Sequence, residues 1–282
     1  MRGAWLTDQG CLDLTTSILV TRRLHEEQTP YQHLEIYESP RFGRMLVLDG
    51  AVQTTEADEF IYHEMLAHPG LLTHPAPRRA LIIGGGDGGL LEETLKHPLE
   101  RATMVEIDGA VVRRSRQYLD VISAGAFDDP RARLVIGDGI AYVGDARERV
   151  DVALVDSTDP VGPAAGLFSG EFYAVLADRL TPDGVLVVQS GSAVYQHELI
   201  AMVRRNMAPS FRVVRTYAAT VLAYPGVLWS FTIGSLGRDP LDVPSSEIAR
   251  RTEGFGLRYY TPAGHDAAFD LPPYLRDAIA AR

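Results

Sequence analysis

An alternation of short apolar runs with amphipathic segments, from residue 80 onward, constrains the fold more than any other feature. Residues 80–83, Ala-Leu-Ile-Ile, are apolar throughout, which is typical of a strand buried on both faces of a parallel sheet. Alternating strands and helices predict an α/β fold: a doubly wound parallel sheet with helices on both faces. We expect strands at residues 80–83, 102–107, 133–136, 150–155, 184–189, 213–217 and 228–233, and helices at residues 89–96, 110–119, 170–180, 195–206 and 246–251.

The first fifty residues follow a different pattern, which favours antiparallel strands. Polar and apolar residues alternate over 33–38, the period of a half-buried strand. Asp49-Gly50 lies between two short β-like runs and is a strong hairpin signal. Short strands are expected at residues 14–20, 33–38, 45–48 and 51–53.

This change of pattern predicts two domains. Residues 1–53 are expected to form a small antiparallel β domain, and residues 54–282 the α/β domain. The latter begins with helical spacing from Phe60 to Pro69. A chain of 282 residues is long enough for one large or two modest domains with a sizeable core.

Composition and charge narrow the classes of protein. The single cysteine, Cys11, excludes an intrachain disulfide, so we predict a cytoplasmic protein. The net charge is −10, and basic residues run together only at Arg78-Arg79 and Arg250-Arg251, so no nucleic-acid partner is expected. There is no apolar run of about 18 residues, so no membrane span is predicted, and the first residues lack a signal peptide pattern.

A glycine-rich loop follows the first buried strand. Residues 84–89 read Gly-Gly-Gly-Asp-Gly-Gly and precede a helix, an arrangement that fits dinucleotides, S-adenosyl compounds and other nucleosides. Asp87 would repel a pyrophosphate lying on this loop and would attract a cation. The alternative is that Asp87 only caps the next helix.

More acidic residues follow the later strands. Glu106 ends the second strand about 20 residues after the loop, where a carboxylate can hold ribose hydroxyls. Asp138 lies between Gly137 and Gly139 after the next strand, and can accept from an adenine amino group or merely form a turn.

A rigid acidic loop follows the strand at 150–155. Asp156 and Asp159 are three residues apart, and Pro160 and Pro163 brace the loop. It lies at the sheet edge where open α/β folds bind ligands. Two such carboxylates can hold an amine and take its proton; the alternative is a proline-rich turn.

Together these strings resemble the polyamine aminopropyltransferases, the spermidine synthase family. The resemblance runs nearly end to end, and its most specific strings are those at 58–65, 84–89 and 156–163. It implies a Rossmann-like sheet of the S-adenosyl-binding type behind the small β domain. Other matching strings are Tyr31-Gln32 and residues 46–53, 106–108, 137–139, 224–225, 267–269 and 271–272.

The resemblance implies transfer of an aminopropyl group from decarboxylated S-adenosylmethionine to an amine, usually putrescine. The products would be spermidine and 5′-methylthioadenosine, with no metal or other cofactor. Asp156 would be the general base. Donor contacts are expected from Gln32, Asp87, Glu106, Asp138 and Gly139, amine contacts from Tyr62, His63, Asp159, Tyr224 and Gln53, and a loop role in product release from Pro163.

The acceptor and the assembly are less determined. Cadaverine, agmatine and spermidine are alternative acceptors, and the family tends to form homodimers or homotetramers, here partly through residues 1–53. Two positions depart from the family pattern: Glu92 replaces an arginine, and Val227 replaces a small residue beside the amine site. The rival functions are an S-adenosylmethionine-dependent methyltransferase, a nicotinamide-dependent oxidoreductase and a catalytically silent binding protein.

Overall fold

A seven-stranded sheet forms the centre of the computed structural model, which describes residues 3–11, 14–145 and 147–280. The strands are β1 (Ala4–Cys11), β2 (Leu14–Val20), β3 (Arg22–Gln28), β4 (His33–Ser39), β5 (Gly43–Leu48), β6 (Ala51–Thr55), β7 (Arg79–Gly84), β8 (Arg101–Glu106), β9 (Ala132–Ile136), β10 (Val150–Asp156), β11 (Leu180–Ser192), β12 (Val213–Thr220) and β13 (Leu228–Ser235). The helices are α1 (Glu59–Thr73), α2 (Gly89–Leu95), α3 (Gly109–Tyr118), α4 (Asp120–Ser123), α5 (Gly139–Asp145), α6 (Gly170–Asp178), α7 (His197–Met207), α8 (Ser245–Arg251), α9 (Pro262–Phe269) and α10 (Pro273–Ala280).

The central sheet has the order β12-β13-β11-β10-β7-β8-β9. All seven of its strands were predicted, and the doubly wound arrangement is confirmed. The prediction of a purely parallel sheet is wrong, because β13 runs antiparallel to both of its neighbours, β11 and β12. The order reverses between β7 and β10, and ligands of open α/β folds bind outside the carboxyl ends of strands at such a point.

Each face of the sheet is covered by an apolar core. On one face α1 and α2 pack against alternate residues such as Ile82 and Leu154. On the other face α6 and α7 pack against Leu81 and Ala153. Because alternate strand residues point to opposite faces, this packing explains why the middle of each strand, residues 80–83 of β7 and 152–155 of β10, is apolar throughout.

Helix α1 continues past the proline at which it was predicted to end. Pro69 lacks an N–H, so the carbonyl of Met65, four residues earlier, loses its helical partner. The Tyr217 hydroxyl of β12 donates to that carbonyl at 2.7 Å. The buried backbone oxygen is therefore satisfied, and the helix extends to Thr73.

Two antiparallel sheets precede α1, where a single one was predicted. β1 pairs with β2, and β3 to β6 form a four-stranded meander. The predicted hairpin at Asp49-Gly50 is confirmed, with positive φ angles of 49° and 80° that suit a tight turn between strands. The meander packs Leu34 and Ile36 against Val111 of α3, which attaches it to the central domain.

None of the helices in the described residues is long and apolar enough to cross a membrane.

Candidate functional site

The backbones of β7 and β10 touch where the strand order reverses. Gly84 has a φ of 84°, and a Cβ there would lie 1.9 Å from the carbonyl oxygen of Asp156. Gly85 N donates to that same oxygen at 3.1 Å. Only glycine fits at residue 84, so the glycine-rich loop and the acidic loop meet directly.

Asp156 forms the centre of the site. Tyr62, on the first turns of α1, donates its hydroxyl to Asp156 Oδ1 at 2.7 Å. Burial, then the charge of Asp87, raises the pKa of Asp156 to about 6. Burial and the Asp156 charge raise the pKa of Tyr62 well above its usual range, so the phenol stays a hydrogen-bond donor. The pKa of Asp156 is thus close to neutral pH, as is suitable for a base that acts at physiological pH.

A buried histidine joins two carboxylates beside this pair. His63 is only 1% exposed; its Nδ1 lies 2.8 Å from Glu59 Oε2 and its Nε2 lies 3.5 Å from Asp87 Oδ1. Burial opposes its charge, but the carboxylates raise the pKa of His63 well above its usual range. Burial also opposes ionisation of Asp87, yet the charge of His63 lowers the pKa of Asp87. The trio is therefore an imidazolium between two carboxylates.

Asp87 lies two residues before helix α2, whose N-cap is Gly88. Its Oδ1 accepts from the N–H of Gly89, the first residue of α2, at 2.8 Å, so the side chain bonds to the start of the helix without being its N-cap. The side chain remains at the carboxyl edge of the sheet, near enough to Asp156 to raise that residue's pKa. Both roles are compatible, since a carboxylate has several lone pairs.

Glu106 lies at the end of β8 and is buried. Its Oε1 accepts from the N–H of Asp108 at 2.8 Å. Burial raises the pKa of Glu106 to about 7, although the hydrogen bond from Asp108 N opposes this rise. Burial therefore favours the neutral form of this carboxyl more than it would for an exposed glutamate.

Gln32 reaches the site from the N-terminal sheet. Its Nε2 donates to Asp108 Oδ2 at 3.0 Å, and the Thr29 hydroxyl donates to the same oxygen at 2.7 Å. Asp108 Oδ1 accepts from Ala110 N at 2.9 Å and so caps α3. The buried Asp108 therefore holds the Gln32 side chain through its own carboxylate and bonds to Glu106 through its backbone N–H.

Asp138 and Gly139 follow β9 on the more open side of the site. Asp138 is exposed, and its Oδ1 accepts from Ile140 N at 2.8 Å at the start of α5. Gly139 is buried, and a Cβ there would lie 2.4 Å from Ile83 Cγ2. The glycine allows α5 to start against β7, and the exposed side chains of Ile136 and Ile140 flank the acidic residue.

The acidic loop after β10 is tied to the neighbouring strand. Gln196 Nε2 donates to Asp159 Oδ2 at 2.7 Å, and burial raises the pKa of Asp159. Gln189 Nε2 donates to the carbonyl of Ser157 at 2.9 Å. The backbone of Pro163 lies in the 3₁₀ helix Gly162–Phe168.

Tyr224 closes the site from the loop between β12 and β13. Its ring centroid lies 5.7 Å from that of Tyr62, edge to face, and its hydroxyl donates to the carbonyl of Gln53. Asp58 Oδ2 accepts from Ala223 N at 2.7 Å. These contacts therefore join the loop to the N-terminal sheet and to α1 next to Asp156.

The two departures from the family pattern lie outside this cluster. Glu92 is on α2, 3.1 Å from Lys96 Nζ, and burial with the Glu93 charge raises its pKa to about 6. Val227 is 42% exposed, so its side chain points outward, but its φ of 59° lies in the left-handed region. A β-branched residue is strained there, which explains why a small residue suits this position.

One group of possible metal ligands is present in the described residues, away from the site. Ligand atoms of Glu26, His33 and Glu35 lie within 4.8 Å of one another on β3 and β4. Arg23 already forms ion pairs with Glu26 at 2.7 Å and Glu35 at 3.1 Å. The guanidinium therefore neutralises the carboxylates that would attract a cation.

The sequence matches two family models over most of its length. Residues 59–239 match the model described as a spermine/spermidine synthase domain, and residues 5–56 the one described as a spermidine synthase tetramerisation domain. The polyamine aminopropyltransferase of Moorella thermoacetica is 47% identical over 282 residues, covering 100% of this chain and 98% of that relative. The polyamine aminopropyltransferase 1 of Bacillus cereus is 45% identical over 276 residues, 98% of each chain.

The chain belongs to the spermine/spermidine synthase family.

Solved structures of spermidine synthases agree with this assignment. One, in complex with the transition-state analogue AdoDATO, has a TM-score of 0.95 and 36% identity, covering 100% of this chain and 97% of the other. The spermidine synthase of Thermotoga maritima has a TM-score of 0.93 and 36% identity, covering 100% and 96%. The predicted Rossmann-like fold and aminopropyltransferase class are thus confirmed, and the methyltransferase and oxidoreductase alternatives are disfavoured.

Three residues that hold side chains of the candidate site in place were absent from the predicted site residues: Glu59, Asp108 and Gln196. Glu59 lies four residues before His63, a spacing that places both on one helix face and is visible in the sequence. Asp108 is an N-cap, which its place before α3 also indicates. Gln196 gives no local signal, because it meets Asp159 across 37 residues of chain.

Proposed function

We propose that the protein transfers the aminopropyl group of decarboxylated S-adenosylmethionine to putrescine, with Asp156 as the general base. The supporting observation is the buried Asp156, hydrogen-bonded to Tyr62 and close to Asp87 where the two loops meet. Two carboxylates at one edge suit a reaction between a sulfonium donor and a cationic amine. The products are spermidine and 5′-methylthioadenosine.

The donor is assigned to the side of the site formed by β7, β8 and β9. Glu106 would accept from the ribose hydroxyls, and Asp138 with Gly139 would contact the adenine. Gln32, held by Asp108, would close over the nucleoside. Asp87 would hold the ammonium of the aminopropyl arm.

Asp87 also provides a reason for the choice of donor. Ordinary S-adenosylmethionine carries a carboxylate on the arm that would approach Asp87, and two negative charges in a partly dehydrated pocket repel each other. Since His63 favours the charged form of Asp87, this repulsion persists across the physiological pH range. The decarboxylated donor presents only an ammonium there.

The chemical step is an in-line displacement. The neutral amine nitrogen attacks the carbon next to the sulfonium, a C–N bond forms and the C–S bond breaks, and its electron pair stays on sulfur as a thioether. A free alkylammonium has a pKa of about 10.4, using lysine as the guide, so the amine must lose a proton. Asp156 accepts it, and burial of the bound ammonium lowers its pKa toward that of Asp156. Holding both substrates in line supplies a large share of the rate enhancement.

The amine is assigned to the side of the site next to α1. Tyr62 and Tyr224 would flank its carbon chain, and Asp159 would pair with its distal ammonium. His63 and Gln53 border the same region; Pro163 would lie in the loop that releases product. Putrescine is the proposed acceptor, with cadaverine, agmatine and spermidine as the competing ones.

The remaining expectations accompany this proposal. The displacement requires no metal or other cofactor, because the sulfonium is itself a good leaving group. The match of residues 5–56 to a tetramerisation domain supports a homo-oligomer built through the N-terminal sheets. Light scattering that finds a stable monomer would contradict that assembly. Cytoplasmic location, inferred from the lone cysteine, stays a prediction.

A product assay tests the function. The protein is incubated with decarboxylated donor and each of the four amines, and methylthioadenosine and the new polyamine are measured by mass spectrometry. We expect both products with putrescine, formed far more slowly by Asp156→Asn but at the wild-type rate by Asp266→Asn, an exposed control. Absence of methylthioadenosine with every amine would favour the catalytically silent protein, and a higher kcat/KM with another amine would replace putrescine.

A further inference from the structure

A cavity of about 250 Å³ opens at the amino ends of the central strands, at the sheet edge opposite the active site. Along β7 the two edges are separated by five residue steps, about 17 Å. Five arginines line this cavity, against two carboxylates, an excess of three positive charges in a chain whose net charge is −10. The arginines are Arg79, Arg101, Arg133, Arg147 and Arg179.

The strand register places three of these arginines on one face of the sheet. Arg79 is paired with Arg101 across β7 and β8, and Arg133 is paired with Thr103 across β8 and β9. Arg101 and Thr103 are two residues apart and therefore point to the same face. Three neighbouring strands thus direct guanidinium groups into the same cavity.

Carboxylates neutralise only part of this charge. Arg79 Nε lies 4.0 Å from Glu100, and an Arg101 guanidinium nitrogen lies 3.5 Å from Glu148. In the part of the chain that the structure describes, no carboxylate oxygen lies within 4.0 Å of a guanidinium nitrogen of the other three arginines. Arg179 instead donates to the carbonyls of Val143 and Gly144. Like charges on adjacent strands destabilise a sheet, so an anion between them would be stabilising.

The walls of the cavity suit a compound with an organic part. Leu81, Val143 and Val150 form an apolar side, and the Tyr142 ring lies among them. Guanidinium groups bind phosphate with paired hydrogen bonds, which they form more readily than a lysine ammonium does.

We propose that this cavity is a binding site for a small phosphorylated molecule, held through its phosphate groups by Arg79, Arg101 and Arg133. The bound compound lies at the edge of the sheet opposite the acidic active site, where the negative charge disfavours such anions. The proposal is independent of the aminopropyl transfer proposed above.

Calorimetry with inorganic phosphate, pyrophosphate and AMP tests the proposal. Each titration uses the full-length protein in a buffer adjusted with NaCl to constant ionic strength, because surface charge effects are screened by salt. We expect pyrophosphate to bind and to raise Tm, since a ligand of the native state stabilises it. Tighter binding of AMP than of phosphate would assign the apolar side to a nucleoside.

The double variant Arg101→Gln, Arg133→Gln is expected to weaken pyrophosphate binding about ten- to a hundredfold, because charge-assisted hydrogen bonds are lost. The control Arg205→Gln, Arg212→Gln changes the net charge equally at exposed positions outside the cavity. Circular dichroism verifies folding, and Arg101→Lys, Arg133→Lys keeps the charge if the glutamine variant fails to fold. No binding to the wild type, or equal weakening by the control pair, would overturn the proposal.

Discussion

Glu106→Gln is expected to change how the stability of the ligand-free protein depends on pH. Burial raises the pKa of Glu106 from 4.5 to about 7, so between these values the folded state binds more protons than the unfolded state. The free energy of unfolding therefore falls as pH rises through this window. At about 1.4 kcal/mol per pKa unit, the wild type loses about 3 kcal/mol from this group between pH 4.5 and pH 8.

The glutamine at residue 106 does not titrate, so the variant does not lose this stability as the pH rises. Its amide oxygen can still accept from Asp108 N, but its amide nitrogen cannot accept from Gly86 N as the carboxylate does. That lost hydrogen bond costs about 1 kcal/mol at every pH. The variant is thus expected to be less stable than the wild type at pH 4.5 and about 2 kcal/mol more stable at pH 8.

Urea unfolding at half-unit intervals from pH 4.5 to pH 8 measures the difference. All samples are compared at one protein concentration, since oligomerisation also affects apparent stability. Glu253→Gln, an exposed control, is expected to show no crossover. A constant difference between Glu106→Gln and the wild type across this range would refute the reasoning. The same variant should bind the donor more weakly if Glu106 holds the ribose.

Three further predictions concern Asp156, Asp87 and Val227. Asp156→Asn should lower kcat by about 10²–10⁴, and near-normal turnover of this variant would show that Asp156 is not the base. In the wild type, kcat/KM should fall below about pH 6, where Asp156 becomes protonated. Asp87→Asn should raise the Kd for the decarboxylated donor and reduce the ratio by which this donor binds more tightly than S-adenosylmethionine. Calorimetry that finds the Kd and this ratio unchanged would contradict the contact between Asp87 and the donor. Val227→Gly should raise the free energy of unfolding by about 1 kcal/mol, because glycine relieves the strained φ. Chemical denaturation should show a smaller rise for Val227→Ala.

The sequence predicts the central sheet well because its strands are apolar and regularly spaced. It does not predict the direction of β13, because a buried strand has the same apolar pattern whether it runs parallel or antiparallel to its neighbours. β3 is missed because its exposed residues form cross-strand ion pairs, such as Arg23 with Glu35, instead of an apolar pattern. α5 is missed because Gly139, which suggests a turn, is required by the close approach of Ile83.

The topology, which fixes where strands end, brings Asp87, Glu106, Asp138 and Asp156 to the carboxyl edge of the sheet. What local sequence cannot supply is which side chains are already bonded to each other. Asp159 with Gln196, and Tyr224 with the carbonyl of Gln53, are pairs between distant segments. The raised pKa of His63 likewise follows from its two neighbouring carboxylates, Glu59 and Asp87, whose effect outweighs that of burial.

The hydroxyl that replaces the missing N–H of Pro69 has a consequence for biosynthesis. Met65 and Tyr217 are 152 positions apart, so the ribosome releases α1 long before the residue that completes it. Until β12 emerges, the Met65 carbonyl lacks the tyrosine hydroxyl that replaces water as its partner when it is buried. The helix that bears Tyr62 is therefore finished late, and a nascent chain lacking β12 has no completed active site.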